Sequence, residues 1–263
     1  FNIPAKPAEE FPFLPKINKE NKVIISQFTL KEIIRQTVFS ISDNENTKIM
    51  TGELFEIHGS ELKIVSLDGH RISIRKVILK DSYEDVSVII PGKTLNEITK
   101  ILTGGRDDEV NMFFTDKHVL FEFGSTIVLS RLIEGEYYKI DKMLSSDYET
   151  KVTVNKREML DCIDRTTLLI KESEKKPVII DVKDNSIGFA INSSIGSMDE
   201  EIDAVKEGKG ILIGFNPRFL IDALKVIDEE EITMYMINPK APCFIRDKEE
   251  TYIYLILPVN FNI

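Results

Sequence analysis

The residues that could carry acid–base chemistry lie in one short stretch, Leu67-Asp68-Gly69-His70-Arg71-Ile72. A carboxylate and an imidazole two positions apart could act as general acid and base, so a hydrolytic enzyme using Asp68 and His70 is one hypothesis. No GxSxG, HExxH, P-loop or GxGxxG pattern accompanies them in the sequence. Asp-Gly between the alternating runs KIVSL and RISI is typical of a hairpin turn, which explains Asp68 and Gly69 without catalysis.

Residues that could bind a metal are few. Cys162 and Cys243 are too few for a disulfide framework, and no Cys/His spacing around them resembles a zinc site. We expect both to be buried as small hydrophobic residues. The sequence therefore predicts neither a metal site nor a cofactor.

The composition is that of a globular protein: 263 residues, of which 42% are apolar. No apolar run approaches the roughly 18 residues that a membrane span needs, so we expect a cytoplasmic protein without a membrane association. The net charge of -10 is unfavourable for nucleic-acid binding. The distribution of the charges therefore matters more than their sum.

The elements that must position these residues come from a unit that occurs four times. Each copy reads as a short apolar strand, a turn with a polar residue and a helix with apolar residues at helical spacing, followed by alternating runs typical of strands. The four copies are Val23–Ile34, Val88–Thr99, Val152–Ile163 and Ile213–Leu224. The pattern places tight turns at Gly59-Ser60 and at Gly124-Ser125.

Four such units pair most simply into two similar domains of an α+β protein, each with two helices packed on antiparallel sheets. The predicted helical stretches are 29–42, 93–102, 155–167 and 216–226. We place the domains at 20–145 and 146–263, and the proline-rich residues 1–19 read as the end of a preceding domain that is missing.

The charges are unevenly distributed along this repeat. The helical stretches hold nine Lys/Arg and six Asp/Glu, so the remainder of the chain carries -13. Amphipathic helices always have a charged outer face, which is one explanation. The other is that the helices turn a shared face toward a polyanion while the sheets face outward.

The end of the chain, Tyr252-Ile-Tyr-Leu-Ile-Leu-Pro-Val-Asn-Phe-Asn-Ile263, is unusually apolar. Its first part reads as a buried strand. Because Pro258 disfavours a strand in mid-sheet, we expect Val259 and Phe261 at the surface. An exposed apolar end beside a sheet edge is a candidate peptide-binding lip.

Seven motifs along the chain resemble the beta subunit of bacterial DNA polymerase III, the sliding clamp: PAEEFPFLP (7–15), TGELFE (51–56), LDGHRISI (67–74), VIIPGKTLNEI (88–98), RLIEGEYY (131–138), IGFNPRFLIDAL (213–224) and YLILPV (254–259). The resemblance implies a clamp fold and a head-to-tail homodimeric ring with three domains per subunit, its helices lining a hole for duplex DNA. This chain would hold the second and third domains and would be largely monomeric by itself.

The resemblance also implies binding sites. Partners, namely the polymerase III alpha subunit, the clamp loader and repair polymerases, would insert Leu/Phe-rich peptides into a pocket walled by Met50, Leu67, Gly69, His70, Arg71, Ile72, Tyr138, Met143, Asn216, Phe219, Pro242, Leu255, Leu257, Pro258 and Val259. For duplex DNA the resemblance implies Lys93, Asn44 and Lys48, and the cations of the predicted helices add Lys31, Arg35 and Lys100. A neighbouring subunit would meet Leu168 and Leu169. Two alternatives stay open: the hydrolase, and a repeat-built protein scaffold without a DNA role.

Overall fold

A computed structural model describes residues 1–10, 15, 17–19, 21–171 and 176–261 of the chain. Residues 11–14 of the PAEEFPFLP motif, and with them part of the expected domain end at 1–19, lie outside the described residues. Within the described ranges, no helix is long and apolar enough to cross a membrane.

The described residues form four α-helices and fourteen strands. The helices are α1 (Gln27–Arg35), α2 (Gly92–Ile101), α3 (Lys156–Thr167) and α4 (Pro217–Val226). The strands are β1 (Lys22–Ser26), β2 (Gly52–Leu67), β3 (Arg71–Pro91), β4 (Glu109–Phe114), β5 (His118–Phe123), β6 (Thr126–Arg131), β7 (Thr150–Asn155), β8 (Val178–Val182), β9 (Ser186–Asn192), β10 (Ser197–Gly208), β11 (Ile211–Phe215), β12 (Glu231–Met236), β13 (Cys243–Arg246) and β14 (Tyr252–Ile256).

We call β1 to β6 with α1 and α2 the first half, β7 to β14 with α3 and α4 the second half, and residues 132–149 the connecting segment. One sheet of the described chain has the order β1-β4-β5-β6, and the other has the order β11-β8-β9-β10-β7-β12-β13-β14-β3-β2. All pairings are antiparallel, so the predicted α+β class is confirmed. The larger sheet passes from one half to the other where β14 pairs with β3, placing Leu255 opposite Ile72.

Each repeat copy has the predicted strand and helix, but the strand runs almost directly into the helix without the predicted turn between them. The side chains of Ser26, Asn155 and Asn216 accept hydrogen bonds from the first turns of α1, α3 and α4, which satisfies donors that a helix leaves unpaired. Helix α1 ends at Arg35, well before the predicted residue 42. The hydroxyl of Thr37 donates to the carbonyl of Ile33, and the chain turns into a short 3-10 segment.

Three apolar clusters hold the molecule together. One packs α1 and α2 on the strands of the first half, and a second packs α3 and α4 on those of the second half. The third joins the halves, because Leu67 and Ile72 of the hairpin pack with Leu255 of β14 and with Tyr137 and Ile140 of the connecting segment. The expected domain boundary near residues 145–146 falls in this segment and stays a prediction.

Two features of the strands differ from the sequence prediction. Gly59 does not form a turn; it adopts a φ of 58° inside the continuous β2, where the pairing with β3 shifts register, because glycine accommodates such a bulge. Strand β10 was not predicted. Its acidic residues obscure the alternation of Met198, Ile202 and Ala204. The turn at Gly124-Ser125 does join β5 to β6.

Candidate functional site

The stretch Asp68 to Arg71 is the turn between β2 and β3. Asp68 Oδ1 accepts hydrogen bonds from the backbone N–H groups of His70 at 2.9 Å and Arg71 at 3.2 Å, and Gly69 has a φ of 88°. Asp68 Oδ2 accepts from Nε of Arg71 at 2.9 Å. The imidazole of His70 lies instead beside the ring of Phe219, with 6.1 Å between ring centroids. Asp68 therefore shapes the turn and holds Arg71, and its carboxylate does not orient the imidazole.

The end of the chain leaves the sheet beside this turn. The Leu257 N–H donates to the carbonyl of His70 at 2.9 Å, and the Val259 N–H donates to the carbonyl of Gly214 in β11 at 2.8 Å. Leu257 and Val259 are each 39% exposed, large fractions for apolar side chains held in place by backbone hydrogen bonds. The tail thus carries exposed apolar groups from the turn to the edge of β11.

The connecting segment brings further apolar groups to the same region. Its Tyr137 and Ile140 are buried in the cluster that joins the halves, while Tyr138 and Met143 are 46% and 54% exposed. We define the groove as the surface of His70, Tyr138, Met143, Phe219, Leu257 and Val259. A separate concave surface of about 650 Å³, around Arg75 and Arg246, shares no residue with it.

The other residues predicted to wall the pocket lie below or beside this groove. Leu67, Ile72 and Leu255 are buried in the joining cluster, so they support the groove from beneath. Asn216 caps α4, and Pro242 precedes Cys243, whose partner across the strand pair is Ile256. Their contact with a peptide stays a prediction. Met50 is partly buried against the joining cluster, Gly69 is exposed in the turn, and Pro258 is partly buried between Leu257 and Val259.

Arg71 is the residue that connects most of these parts. Its side chain is 9% exposed and contacts both halves of the molecule. Three of its neighbours, Phe39, Asp222 and Tyr254, were not predicted, because residue spacing does not indicate which distant residues surround a buried arginine.

The cations predicted to meet DNA differ in their surroundings. Nζ of Lys31 donates to the carbonyl of Leu102 at 3.1 Å, Arg35 pairs with Glu32 and Asp228, and Lys100 pairs with Glu97. Lys93 and Lys48 are exposed, and Asn44 accepts a hydrogen bond from the N–H of Asn46. Four of the six residues, three cations and Asn44, are thus engaged in contacts within the protein.

The repeat also relates Lys93 to two cations, Arg157 and Arg218, that the prediction of DNA-binding residues omitted. Lys93, Arg157 and Arg218 occupy the same position of the second, third and fourth copies, and all three are exposed. The first copy has Phe28 there, and the guanidinium of Arg106 lies 4.9 Å from the centroid of its ring. A cation therefore lies near the start of each helix. Aligning the four copies of the repeat would have identified Arg157 and Arg218 from the sequence.

Leu168 and Leu169, predicted at a subunit interface, follow α3. Leu168 is 77% exposed, whereas Leu169 is partly buried near Gly196. Within the described residues, no group of three or more His, Cys, Asp and Glu is placed to hold a metal ion.

Comparison with known proteins identifies the family. Residues 24–139 match the model of the DNA polymerase III beta subunit, central domain, and residues 141–260 match that of its C-terminal domain. The chain is 33% identical to the Beta sliding clamp of Staphylococcus aureus (strain Mu50) over 263 residues, 99% of this chain and 70% of that protein.

Solved structures agree with this match. A putative DNA polymerase III beta subunit from Eubacterium rectale has a TM-score of 0.96 and 60% identity, over 100% of this chain and 72% of that one. The DNA polymerase sliding clamp of Bacillus subtilis has a TM-score of 0.93 and 36% identity, over 97% of this chain and 68% of that one. These relatives support the clamp interpretation rather than the hydrolase or the scaffold. The chain therefore belongs to the family of DNA polymerase III beta subunits, the sliding clamps, and matches that family's central and C-terminal domains.

Proposed function

We propose that this chain serves in a sliding clamp that encircles duplex DNA and tethers the replicative polymerase through the groove, giving processivity. The observation that carries the proposal is the groove itself, where His70 from the turn of the first half lies with exposed apolar side chains from the connecting segment and the second half. In this role the protein acts by binding and not by catalysis. This role requires no cofactor. A clamp on bacterial DNA would be located in the cytoplasm, where that DNA lies.

The partners would be the polymerase III alpha subunit, the clamp loader and repair polymerases, each through a short peptide rich in Leu and Phe. Apolar side chains at the centre of an interface usually dominate its energy, and Leu257, Val259 and Met143 offer such contacts. A peptide that binds in the micromolar range, about -8 kcal/mol, is sufficient because a ring on DNA keeps its partner at a high local concentration.

Duplex DNA would face the starts of the helices. Lys93, Arg157 and Arg218 have exposed side chains, and Arg106 stands at the matching place of the first copy. Few phosphate contacts mean few released counterions and weak binding, which permits sliding when the ring supplies retention by topology. A clamp can therefore have a net charge of -10.

A ring of identical subunits needs head-to-tail contacts between two different surfaces. The exposed Leu168 beyond α3, with Leu169 beside it, would belong to one of these surfaces in a homodimer.

The function is tested by fluorescence anisotropy with a labelled peptide of about six residues that has Leu and Phe near its end. Leu257→Asp places an unpaired charge in the groove and should weaken peptide binding by about 2 kcal/mol, roughly 30-fold. Ile78→Asp, an exposed apolar position on β3 outside the groove, is the matched control and should bind like the unchanged chain. If the unchanged chain showed no saturable peptide binding, or if the two variants bound the peptide with equal affinity, the assignment of the groove would be wrong.

A further inference from the structure

The side chain of Arg71 lies where the two halves meet, beneath the groove. We propose that Asp222 and Phe39 are positioning residues of the groove: they hold Arg71 across the junction and so fix the distance between the walls that the two halves supply. This proposal rests on the proposed peptide-binding function for its consequence and on the contacts of Arg71 for its geometry.

Three hydrogen bonds fix the guanidinium of Arg71. Nε donates to Asp68 Oδ2 at 2.9 Å within the turn, Nη2 donates to the carbonyl of Phe39 at 2.7 Å, and Nη1 donates to Asp222 Oδ2 at 2.7 Å. Asp222 belongs to α4 of the second half and is 151 positions away in the sequence. Charge-assisted bonds to a planar guanidinium are short and directional, so they specify where α4 stands relative to the turn.

Aromatic rings hold the same guanidinium from the sides. Its central carbon lies 4.3 Å from the ring centroid of Phe219 and 5.4 Å from that of Phe39. Phe39 belongs to the first half but packs against the core of the second, near the ring of Tyr254 at 5.9 Å. The hydroxyl of Tyr254 donates to the carbonyl of Phe219 at 2.9 Å. Phe219, a groove residue, is thus held by Arg71 at its ring and by Tyr254 at its carbonyl.

The repeat provides an internal comparison for Asp222. A carboxylate occupies the same position of all four copies, as Glu32, Glu97, Asp161 and Asp222. Three residues later the third copy has Asp164, so only the first, second and fourth copies offer a cation there. In α1 and α2 the carboxylate pairs with the cation three residues later, Arg35 or Lys100.

Helix α4 also has a cation three residues later, the exposed Lys225, yet Asp222 pairs with Arg71 instead. An exposed pair within a helix contributes little, whereas a carboxylate beside a mostly buried guanidinium compensates a charge removed from water. The departure of Asp222 from the pattern of its repeat therefore indicates a role at the junction.

Each nitrogen of the guanidinium donates one hydrogen bond within the protein, so Arg71 acts as a strut between the turn, Phe39 and Asp222. Nε serves the turn, and the two terminal nitrogens serve Asp222 and Phe39. Asp222 itself is 40% exposed at its side chain, which leaves it open to substitution without a large loss of packing.

The test uses Asp222→Asn, which keeps the shape and removes the charge, in the same anisotropy titration. Peptide affinity should fall about 10-fold, because a hydrogen bond to a charged group contributes on the order of a tenfold change in an equilibrium constant. Asp222→Glu keeps the charge and should recover part of the loss. Asp228→Asn is the matched control. Asp228 also pairs across the halves, with Arg35, but its side chain is 70% exposed and does not contact Arg71. The affinity of this variant for the peptide should therefore change less than twofold.

A second readout follows the Nε–H proton of Arg71 by NMR. In the unchanged chain this buried, bonded proton should exchange slowly with water; Asp222→Asn should speed the exchange, and Asp228→Asn should not. Unchanged affinity in Asp222→Asn, an equal loss in Asp228→Asn, or unchanged exchange of the Nε–H proton would each overturn the proposal. If the unchanged chain binds no peptide, the proposed function fails, and the proton exchange still decides whether Asp222 positions Arg71.

Discussion

Glu53 shows how one buried side chain can set the pH dependence of the whole fold. It is fully buried at the start of β2, and neither carboxyl oxygen has a hydrogen-bond partner among the described atoms. Burial raises the pKa of Glu53 from 4.5 to about 8, because the charged form would lose its hydration. The carboxyl is therefore protonated in the folded protein at neutral pH.

The pKa shift predicts how stability changes with pH. Between pH 4.5 and about 8 the unfolded chain ionises Glu53 while the folded chain keeps the proton, so rising pH favours unfolding. The free energy of unfolding should fall by about 1.4 kcal/mol per pH unit from this group, and the loss is complete above the folded pKa. Glu53→Gln removes this ionisation, so the free energy of unfolding of the variant should increase relative to that of the unchanged chain as pH rises.

Urea unfolding at pH 5, 6.5 and 8 measures this difference. Glu61→Gln, at an exposed position of the same strand, is the control and should follow the unchanged chain. Parallel stability curves for Glu53→Gln and the unchanged chain would show that Glu53 ionises in the folded protein as it does in water.

Residues were predictable from the sequence where their role is local. Asp68 and Gly69 form the predicted turn, because Asp-Gly between two strands strongly favours a hairpin turn over other conformations. The partners of Arg71 and the burial of Glu53 were not predictable, since both depend on segments that are distant in the chain.

At the scale of elements, the packing of the tail, residues 257–261, against β11 depends on Gly214. A Cβ placed on Gly214 would lie 2.6 Å from Cδ1 of Phe261 and 2.9 Å from the carbonyl oxygen of Val259, which is closer than atoms pack. Gly214→Ala should therefore displace the tail and break the Val259 N–H bond to Gly214. The fold should persist, because a chain end past the last strand supports little packing.

Hydrogen exchange of residues 257–261 measures this displacement, which should appear as faster exchange in Gly214→Ala. Gly188→Ala in β9 is the matched control, since a Cβ there would meet its neighbours at 3.7 Å or more. Slow exchange of the tail in both variants would mean that the tail does not require the close approach at Gly214.

The elements that repeat were the ones the sequence predicted well. Four strand–helix units follow from apolar spacing alone, because each helix buries one face on its own sheet. The early end of α1 and the continuous path of β2 through Gly59 depend on side-chain hydrogen bonds and register, which spacing does not encode. Strand β10 escaped prediction because most of its residues are exposed.

At the scale of the whole molecule, the two halves are joined into one continuous structure. The sheet passes between them at β14 and β3, and a shared apolar cluster and Arg71 reinforce the junction. Periodicity predicted two similar halves. It could not predict their junction, because contacts between distant segments leave no periodic trace; the resemblance to sliding clamps supplied the groove residues instead.

A groove shared by both halves is tested most directly by hydrogen exchange with and without the Leu/Phe peptide. Peptide should slow exchange together in the turn at 67–72, in the connecting segment at 137–144, and at 214–219 and 257–261, because these four stretches surround the groove. Saturating peptide should leave the concave surface around Arg75 and Arg246 unchanged. Protection confined to one half, or centred on that other surface, would contradict a peptide groove built jointly by the two halves.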